Sequence, residues 1–83
     1  MSVRLRLFAQ AREAAGHSAD EFDDARASLG DLLDHARARY GDAFAAVLDT
    51  ARVWVNGDDP IAGDATVLHD GDEVAVLPPV SGG

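Results

Sequence analysis

The sequence predicts an α+β fold of two layers, in which one main helix packs across one face of a mixed β-sheet. Several short stretches alternate apolar and polar residues, as strands with one buried face do, and one longer stretch carries apolar residues at helical spacing. The chain has 83 residues, enough for one domain with a single modest core. A few strands and one dominant amphipathic helix bury their apolar sides by packing against each other.

The N-terminal part predicts a strand, a short helix and a second strand. In VRLRLF, at residues 3–8, apolar residues alternate with two arginines, so that Phe8 falls on the side away from the core. The alanine-rich stretch 9–16 indicates a short helix that stops at Gly16. The stretch 18–25 predicts a short edge strand, whose acidic charge discourages pairing with the edge of another sheet.

The main helix is predicted to begin after Ser28, which is a favourable N-cap. Apolar residues then recur at helical spacing and form one stripe: Leu29, Leu32, Leu33, Ala36 and Tyr40. Gly41 ends this helix, and a second short helix is predicted over 42–49.

Two more strands are predicted in the C-terminal part. The stretch RVWVNG, at 52–57, indicates a strand that runs into an Asn-Gly turn, with Trp54 packed in a central strand. A turn follows, with a brief strand expected from Ile61. The last strand is predicted over 73–77, because the two prolines that follow cannot donate hydrogen bonds to a neighbouring strand.

The tail PPVSGG, at 78–83, is the most unusual feature of the sequence, and it divides the chain into a domain at 1–77 and a flexible extended tail. The prolines restrict φ, and six residues reach about 20 Å at ~3.3 Å per residue. Gly82 and Gly83 lack side chains, so the backbone can thread a narrow channel and place its terminal carboxylate inside another protein. From the residues alone, a frayed end is an equally good interpretation.

Composition and charge exclude several classes of function. The chain has no cysteine, which rules out disulfides, thiolate metal sites and a cysteine nucleophile. The net charge of −8 argues against nucleic-acid binding and fits a basic protein partner or simple solubility. No apolar run approaches the ~20 residues of a membrane span, and the N-terminus lacks the apolar stretch of a signal peptide. We therefore expect a cytoplasmic protein without membrane contacts.

No conventional active site is predicted. His17, His35 and His69 are widely spaced and form no metal-ligand pattern, so each is interpreted as a surface histidine. The run 70–72, Asp-Gly-Asp, begins like a calcium loop but lacks the remaining ligands, so a solvated turn is the better interpretation.

Three stretches resemble a known family: LFAQARE at 7–13, VNG at 55–57 and DGDEVAVLPPVSGG at 70–83. In this order they resemble the MoaD/ThiS family of ubiquitin-like sulfur carriers over nearly the whole chain. The FAQ-x-RE pattern favours the branch that contains the small subunit of molybdopterin synthase. The resemblance implies a β-grasp, ubiquitin-like fold, which agrees with the two-layer prediction.

The resemblance also implies a role for the tail. An adenylating enzyme of the ubiquitin-activating type would use ATP and Mg²⁺ to activate the carboxylate of Gly83. A sulfur donor, such as the persulfide of a cysteine desulfurase system, would then form a thiocarboxylate. Inside the large subunit of molybdopterin synthase, this group would give its sulfur to cyclic pyranopterin monophosphate. The chain would not be catalytic alone and would hold no stable cofactor or metal. The remaining tail residues would contact the channel: Pro78, Pro79, Val80, Ser81 and Gly82.

A partner surface beside the tail is expected as well. Phe8 and Leu77 lie off the core faces of the first and last strands, which are adjacent and parallel in the family's fold, and would form an apolar patch. Two exposed apolar residues are also normal on any protein surface. The turn after Asn56 is longer than the family's common form, and Ile61 is expected to replace a family contact there.

Other roles remain open at this point. The first alternative is a sulfur carrier for thiamin thiazole or cysteine biosynthesis. Such carriers share the fold and the Gly-Gly end but usually lack the PPVSGG form. The second alternative is a ubiquitin-like protein modifier, which would be joined through Gly83 to lysines of its targets. A scaffold whose tail has no chemical role is the third alternative.

Overall fold

The computed structural model describes residues 2–23 and 28–79. Its elements are β1 (Val3–Leu7), α1 (Ala9–Ala15), β2 (Ala19–Phe22), α2 (Leu29–Tyr40), α3 (Asp42–Leu48), β3 (Arg52–Val55) and β4 (Glu73–Leu77), with a 3₁₀ turn at Gly63–Ala65. The strands form one mixed sheet in the order β2-β1-β4-β3. β1 pairs in parallel with β4 and antiparallel with β2, and β3 pairs antiparallel with β4. The predicted α+β fold is confirmed.

The helices cover one face of the sheet. The alternation seen in VRLRLF places every second residue of β1 in the core, and β4 behaves in the same way. The core consists of the following buried residues: Val3, Leu5, Leu7, Ala11, Phe22, Leu29, Leu32, Leu33, Ala36, Phe44, Leu48, Leu68, Val74 and Val76. Burying one large apolar side chain stabilises the fold by about 1.5–3 kcal/mol, so this cluster provides the main driving force for folding.

The helix ends follow the local signals in the sequence. The Ser28 side chain accepts a hydrogen bond from the backbone N–H of Asp31 at 3.2 Å, which caps α2. Gly16 ends α1 with φ of 80°, a left-handed conformation that glycine adopts without steric cost. The predicted edge strand is confirmed as β2, although β2 ends at Phe22 and part of the predicted stretch, at 24–25, lies outside the described residues.

Two local predictions are wrong. Trp54 belongs to β3, which is an edge strand and not a central one, and the residue is 37% exposed. No strand begins at Ile61, which lies in a turn just before the 3₁₀ segment. In both cases the pattern of residue types is local, whereas the position of a strand in a sheet depends on partners that are distant in sequence.

Part of each outer edge of the sheet is closed by the chain itself. On β2, the carbonyl oxygen of Glu21 accepts from Arg39 Nη1 at 3.2 Å, and its backbone N–H donates to Asp20 Oδ1 at 2.8 Å. On β3, Val55 and Asp58 exchange backbone hydrogen bonds of 2.9 and 3.1 Å. These groups are therefore not available to another strand, which makes edge-to-edge pairing at Glu21 and Val55 less favourable.

Candidate functional site

The tail leaves the sheet at the C-terminal end of β4. Pro78 is buried and Pro79 is exposed. Both prolines border a shallow, mainly apolar groove of about 300 Å³, which Gln10 of α1 and Val47 of α3 also line. The base of the tail is therefore held against the helices, which fixes the point from which the tail starts. The rest of the predicted tail lies outside the described residues: Val80, Ser81, Gly82 and Gly83.

The face of the sheet opposite the helices carries alternate residues of all the strands described above, and we call it the open face. The register places Arg6 and Trp54 on either side of Ala75, and Arg52 beside Leu77. The open face thus consists of Ala19 and Glu21 of β2, Arg4 and Arg6 of β1, Glu73, Ala75 and Leu77 of β4, and Arg52 and Trp54 of β3.

Phe8 and Leu77 come together at the end of the sheet where the tail leaves. Phe8 follows β1 directly, and its backbone N–H donates to the carbonyl oxygen of Val76 at 3.3 Å, which keeps it beside β4. Phe8 is 39% exposed, and the guanidinium carbon of Arg6 lies 5.6 Å from the centroid of its ring. Leu77 is half-buried on the neighbouring strand. The two residues are adjacent as expected, and their role in binding a partner stays a prediction.

Ile61 lies elsewhere on the molecule. β3 runs from Arg52, beside Leu77, to Val55, beside Val74, so the turn that carries Ile61 starts at the end of the sheet away from the tail. The Ile61 side chain is fully exposed. A partner that contacts both ends must extend along about 10 Å of strand, at ~3.3 Å per residue. The binding role of Ile61 also stays a prediction.

The open face contains one large residue that the sequence did not indicate as part of a partner surface. Trp54 lies opposite to Val53 and Val55, which face the helices, so its orientation follows from simple alternation. Its exposure does not follow, because it depends on β3 being at an edge of the sheet. The alternation of residues in the sequence was therefore enough to predict the orientation of Trp54. Predicting its exposure would have required the strand order.

The acidic turn before β4 is held by its own side chains. Asp72 Oδ1 accepts from Asn56 Nδ2 at 3.0 Å, and its Oδ2 accepts from the backbone N–H of His69 at 2.7 Å. The pKa of Asp72 lies below its usual range. The hydrogen bond from Asn56 is the main cause, and the bond from His69 is the next largest. Asp70 Oδ1 accepts from the backbone N–H of Ser2 at 2.8 Å. The prediction of a turn is confirmed, and its carboxylates serve the fold.

Within residues 2–23 and 28–79, no group of histidine and carboxylate side chains is arranged to hold a metal ion. In the same ranges, no helix combines the length and the apolar character needed to cross a membrane.

Comparison with known proteins shows the family. The model of the ThiS family matches residues 5–83, which includes the tail. The chain belongs to the ThiS family. It is 36% identical to a molybdopterin synthase sulfur carrier subunit of Chlamydomonas reinhardtii, with all of both chains covered. It is 35% identical to small archaeal modifier protein 3 of Haloferax volcanii, again with all of both chains covered.

A solved structure agrees with the assignment of this chain to the ThiS family. The crystal structure of SAMP1 from Haloferax volcanii superposes with a TM-score of 0.84 at 34% identity, and the match covers all of both chains. The predicted MoaD/ThiS membership and the β-grasp, ubiquitin-like fold are confirmed. The chain has the fold of the ubiquitin-like sulfur carriers.

Proposed function

We propose that this ThiS family member is the sulfur carrier subunit of a molybdopterin synthase. The observation that supports this most directly is the full-length similarity to a sulfur carrier subunit of that enzyme, together with a family match that runs through the tail to Gly83. The carrier works in the cytoplasm, where ATP and a desulfurase system are available.

The first stage activates the carboxylate of Gly83. One of its oxygens attacks the α-phosphate of ATP, so that pyrophosphate leaves and an acyl-adenylate forms. This step needs Mg²⁺ and a separate adenylating enzyme. A persulfide sulfur of the donor then attacks the acyl carbon, and AMP leaves with the electron pair of the C–O bond. A thiol cleaves the resulting S–S bond and is oxidised to a disulfide, which leaves a thiocarboxylate on Gly83.

The second stage transfers the sulfur inside the large subunit. The sulfur of the thiocarboxylate attacks an oxygen-bearing carbon of cyclic pyranopterin monophosphate. A C–S bond forms there as the C–O bond at that carbon breaks and its oxygen leaves with the electron pair. Water then cleaves the acyl–sulfur bond. The sulfur stays on the pterin and the carboxylate of Gly83 is restored. A second carrier that bears a thiocarboxylate repeats the step to complete the dithiolene. The chain has no cysteine, so it has no thiol of its own on which sulfur could travel, and the tail carboxyl is the expected site.

The chain itself contributes the position and the shape of the tail. Pro78 is buried, so the tail starts from a fixed point at the end of β4. From Pro79 onward, five residues reach about 16 Å at ~3.3 Å each, which is enough to enter a pocket in a docked partner. Val80 and Ser81 contact the channel by shape and main-chain hydrogen bonds, and Gly82 leaves room for the approach.

Reconstitution with the large subunit and cyclic pyranopterin monophosphate tests this proposal. The carrier is first charged with the adenylating enzyme, ATP and a sulfur donor, and its mass should increase by the difference between sulfur and oxygen. Wild type should then support molybdopterin formation. Deleting Gly83, or adding one residue after it, should abolish sulfur transfer while circular dichroism shows an unchanged fold. Molybdopterin formation by the truncated chain would exclude this mechanism.

A protein modifier is the second candidate, because the chain is 35% identical to small archaeal modifier protein 3, against 36% to the carrier subunit, with all of both chains covered in each case. A modifier shares the activation step, but its acyl carbon is then attacked by a lysine amine of a target, and an amide forms. The same mass measurement separates the two: a terminal sulfur indicates a carrier, and larger species linked through Gly83 indicate a modifier. Carriers for thiamin thiazole or cysteine are separated by the substrate that accepts the sulfur.

A further inference from the structure

An exposed tryptophan on the open face has no part in the function described so far. Trp54 is 37% exposed even though it lies in a paired strand, and it is the one tryptophan of the chain. Tryptophan side chains bury a large area at low entropic cost and are enriched among residues that dominate protein interfaces. Leaving this area in water is unfavourable unless a partner covers it.

The residue paired with Trp54 on the neighbouring strand is small. Ala75 is paired with Trp54 on one side and with Arg6 on the other, and cross-strand side chains start about 4.5–5.5 Å apart. Leu77 follows on the same face of the same strand. The small side chain of Ala75 thus lies among four larger ones, those of Arg6, Trp54, Glu73 and Leu77. An apolar side chain of a partner can pack over Ala75 against Trp54 and Leu77.

The charge of the open face differs from that of the whole chain. The chain has 15 acidic residues and seven arginines, whereas the described open face has three arginines and two glutamates. Arg4 lies 3.7 Å from Glu21, and Arg6 lies 3.9 Å from Glu73. Arg52 has no ion pair within the part of the chain that the structure describes. A partner that meets Arg52 should therefore present a carboxylate.

We propose that Trp54, Ala75 and Arg52 determine which partner the open face accepts. The partner is a folded protein that inserts one apolar side chain over Ala75, against Trp54, and places a carboxylate beside Arg52. A second copy of this chain fits poorly, because both open faces carry an excess of arginine. The inference rests on the proposed function, since the partner used in the test is the large subunit of molybdopterin synthase.

Calorimetric titration of the full chain against the large subunit from the same organism tests this inference. Trp54→Ala and Arg52→Glu should each weaken binding about tenfold or more, as expected for interface residues of these types. The effect of Arg52→Glu should shrink at high salt. Val67→Ala and Arg37→Glu are matched controls, because Val67 is 58% exposed outside the sheet strands and Arg37 lies on α2, on the other side of the sheet. Both should bind as wild type does, and thermal unfolding should show that all variants are folded.

A second readout uses the single tryptophan. Replacing it with 5-fluorotryptophan gives one fluorine resonance, whose shift between H₂O and D₂O reports exposure to solvent. This solvent shift should be present in the free chain and lost in the complex. Binding of Trp54→Ala at wild-type affinity, or a solvent shift that persists in the complex, would overturn the inference and leave the proposed function intact. Failure of wild type to bind the large subunit at all would overturn both.

Discussion

Asn56 connects the end of β3 to the turn before β4. Its Nδ2 donates to Asp72 Oδ1 at 3.0 Å, and its Oδ1 accepts from the backbone N–H of Glu73 at 2.9 Å. Its φ is 52°, in the left-handed region that asparagine tolerates better than most residues. One residue therefore satisfies the backbone geometry of the turn and holds a carboxylate in place.

Replacing Asn56 by alanine should lower the free energy of unfolding by about 1–3 kcal/mol, because both side-chain hydrogen bonds are lost and alanine is strained at positive φ. Asn56→Gly is the control that removes the bonds without the strain, and it should lie between alanine and wild type. Urea unfolding at pH 7 measures all three. An Asn56→Gly variant as stable as wild type would show that the side-chain bonds contribute nothing.

The same contact makes stability depend on pH. The pKa of Asp72 is lower in the folded chain than the value of about 3.9 for an unfolded aspartate, so its contribution is present above that value and is lost as the pH falls through the lower, folded pKa. The stability difference between wild type and Asn56→Ala should therefore be largest near neutral pH and decrease below about pH 4.

Phe8 provides a prediction about partner binding. Phe8→Arg adds a charge to the apolar patch beside the tail. It does not alter the core, because Phe8 is not one of the buried residues. We expect weaker binding to the large subunit at unchanged thermal stability. Calorimetry measures the affinity, and an unchanged affinity would remove Phe8 from the partner surface. Because Arg6 stacks on this ring at 5.6 Å, Phe8→Leu is a useful comparison that keeps the apolar character.

At the scale of elements, the last turn of α2 holds the outer strand of the sheet. Tyr40 donates from its hydroxyl to Asp20 Oδ2 at 2.7 Å, and Arg39 Nη1 lies 3.2 Å from the same oxygen. The guanidinium of Arg39 also stacks on Phe22, with 3.9 Å between the guanidinium carbon and the ring centroid. The hydrogen bond from Tyr40 is the main reason that the pKa of Asp20 is lowered. The pKa of Tyr40 is raised, mainly because its hydroxyl is partly buried and secondly because it donates this hydrogen bond to Asp20.

Tyr40→Phe should lower the free energy of unfolding by about 1–2 kcal/mol at pH 7, since the bond to a carboxylate is lost in a partly exposed setting. The ring contact with Phe44, at 5.0 Å between centroids, is kept by phenylalanine. Because the folded pKa of Asp20 is depressed, the difference from wild type should diminish as the pH falls below about 4. Urea unfolding at pH 7 and pH 3 measures it, and an equal loss at both values would contradict this assignment.

Local signals predicted the elements better than their arrangement. Ser28 and Gly16 marked helix ends because capping depends on neighbouring residues, and the structure confirms both. The edge position of Trp54 and the turn at Ile61 depend on strand order, which no local pattern contains. Phe8 and Leu77 were brought together through the parallel pairing that the family resemblance implied, and the structure shows this pairing.

At the scale of the molecule, the hydrophobic core lies between Val3 and Val76, and Pro78 is buried while Pro79 is exposed, so stability should be separable from the chemistry at the end of the tail. Truncation after Pro79 should change the free energy of unfolding by less than about 0.5 kcal/mol. Truncation after Leu77 also removes the buried Pro78 and should cost about 1–2 kcal/mol, at ~0.8 kcal/mol per buried CH₂. Chemical denaturation of both chains measures the difference, and equal stability would show that Pro78 does not anchor the tail.

The position of Pro78 has a kinetic consequence under the proposed function. The tail begins at the same end of the sheet that carries Phe8 and Leu77. Any protein that binds the tail in a pocket therefore also occupies that end. Loading and unloading are then competitive events, and each recipient must dissociate before the next can associate. An excess of carrier that lacks the thiocarboxylate should consequently inhibit the synthase to which it belongs.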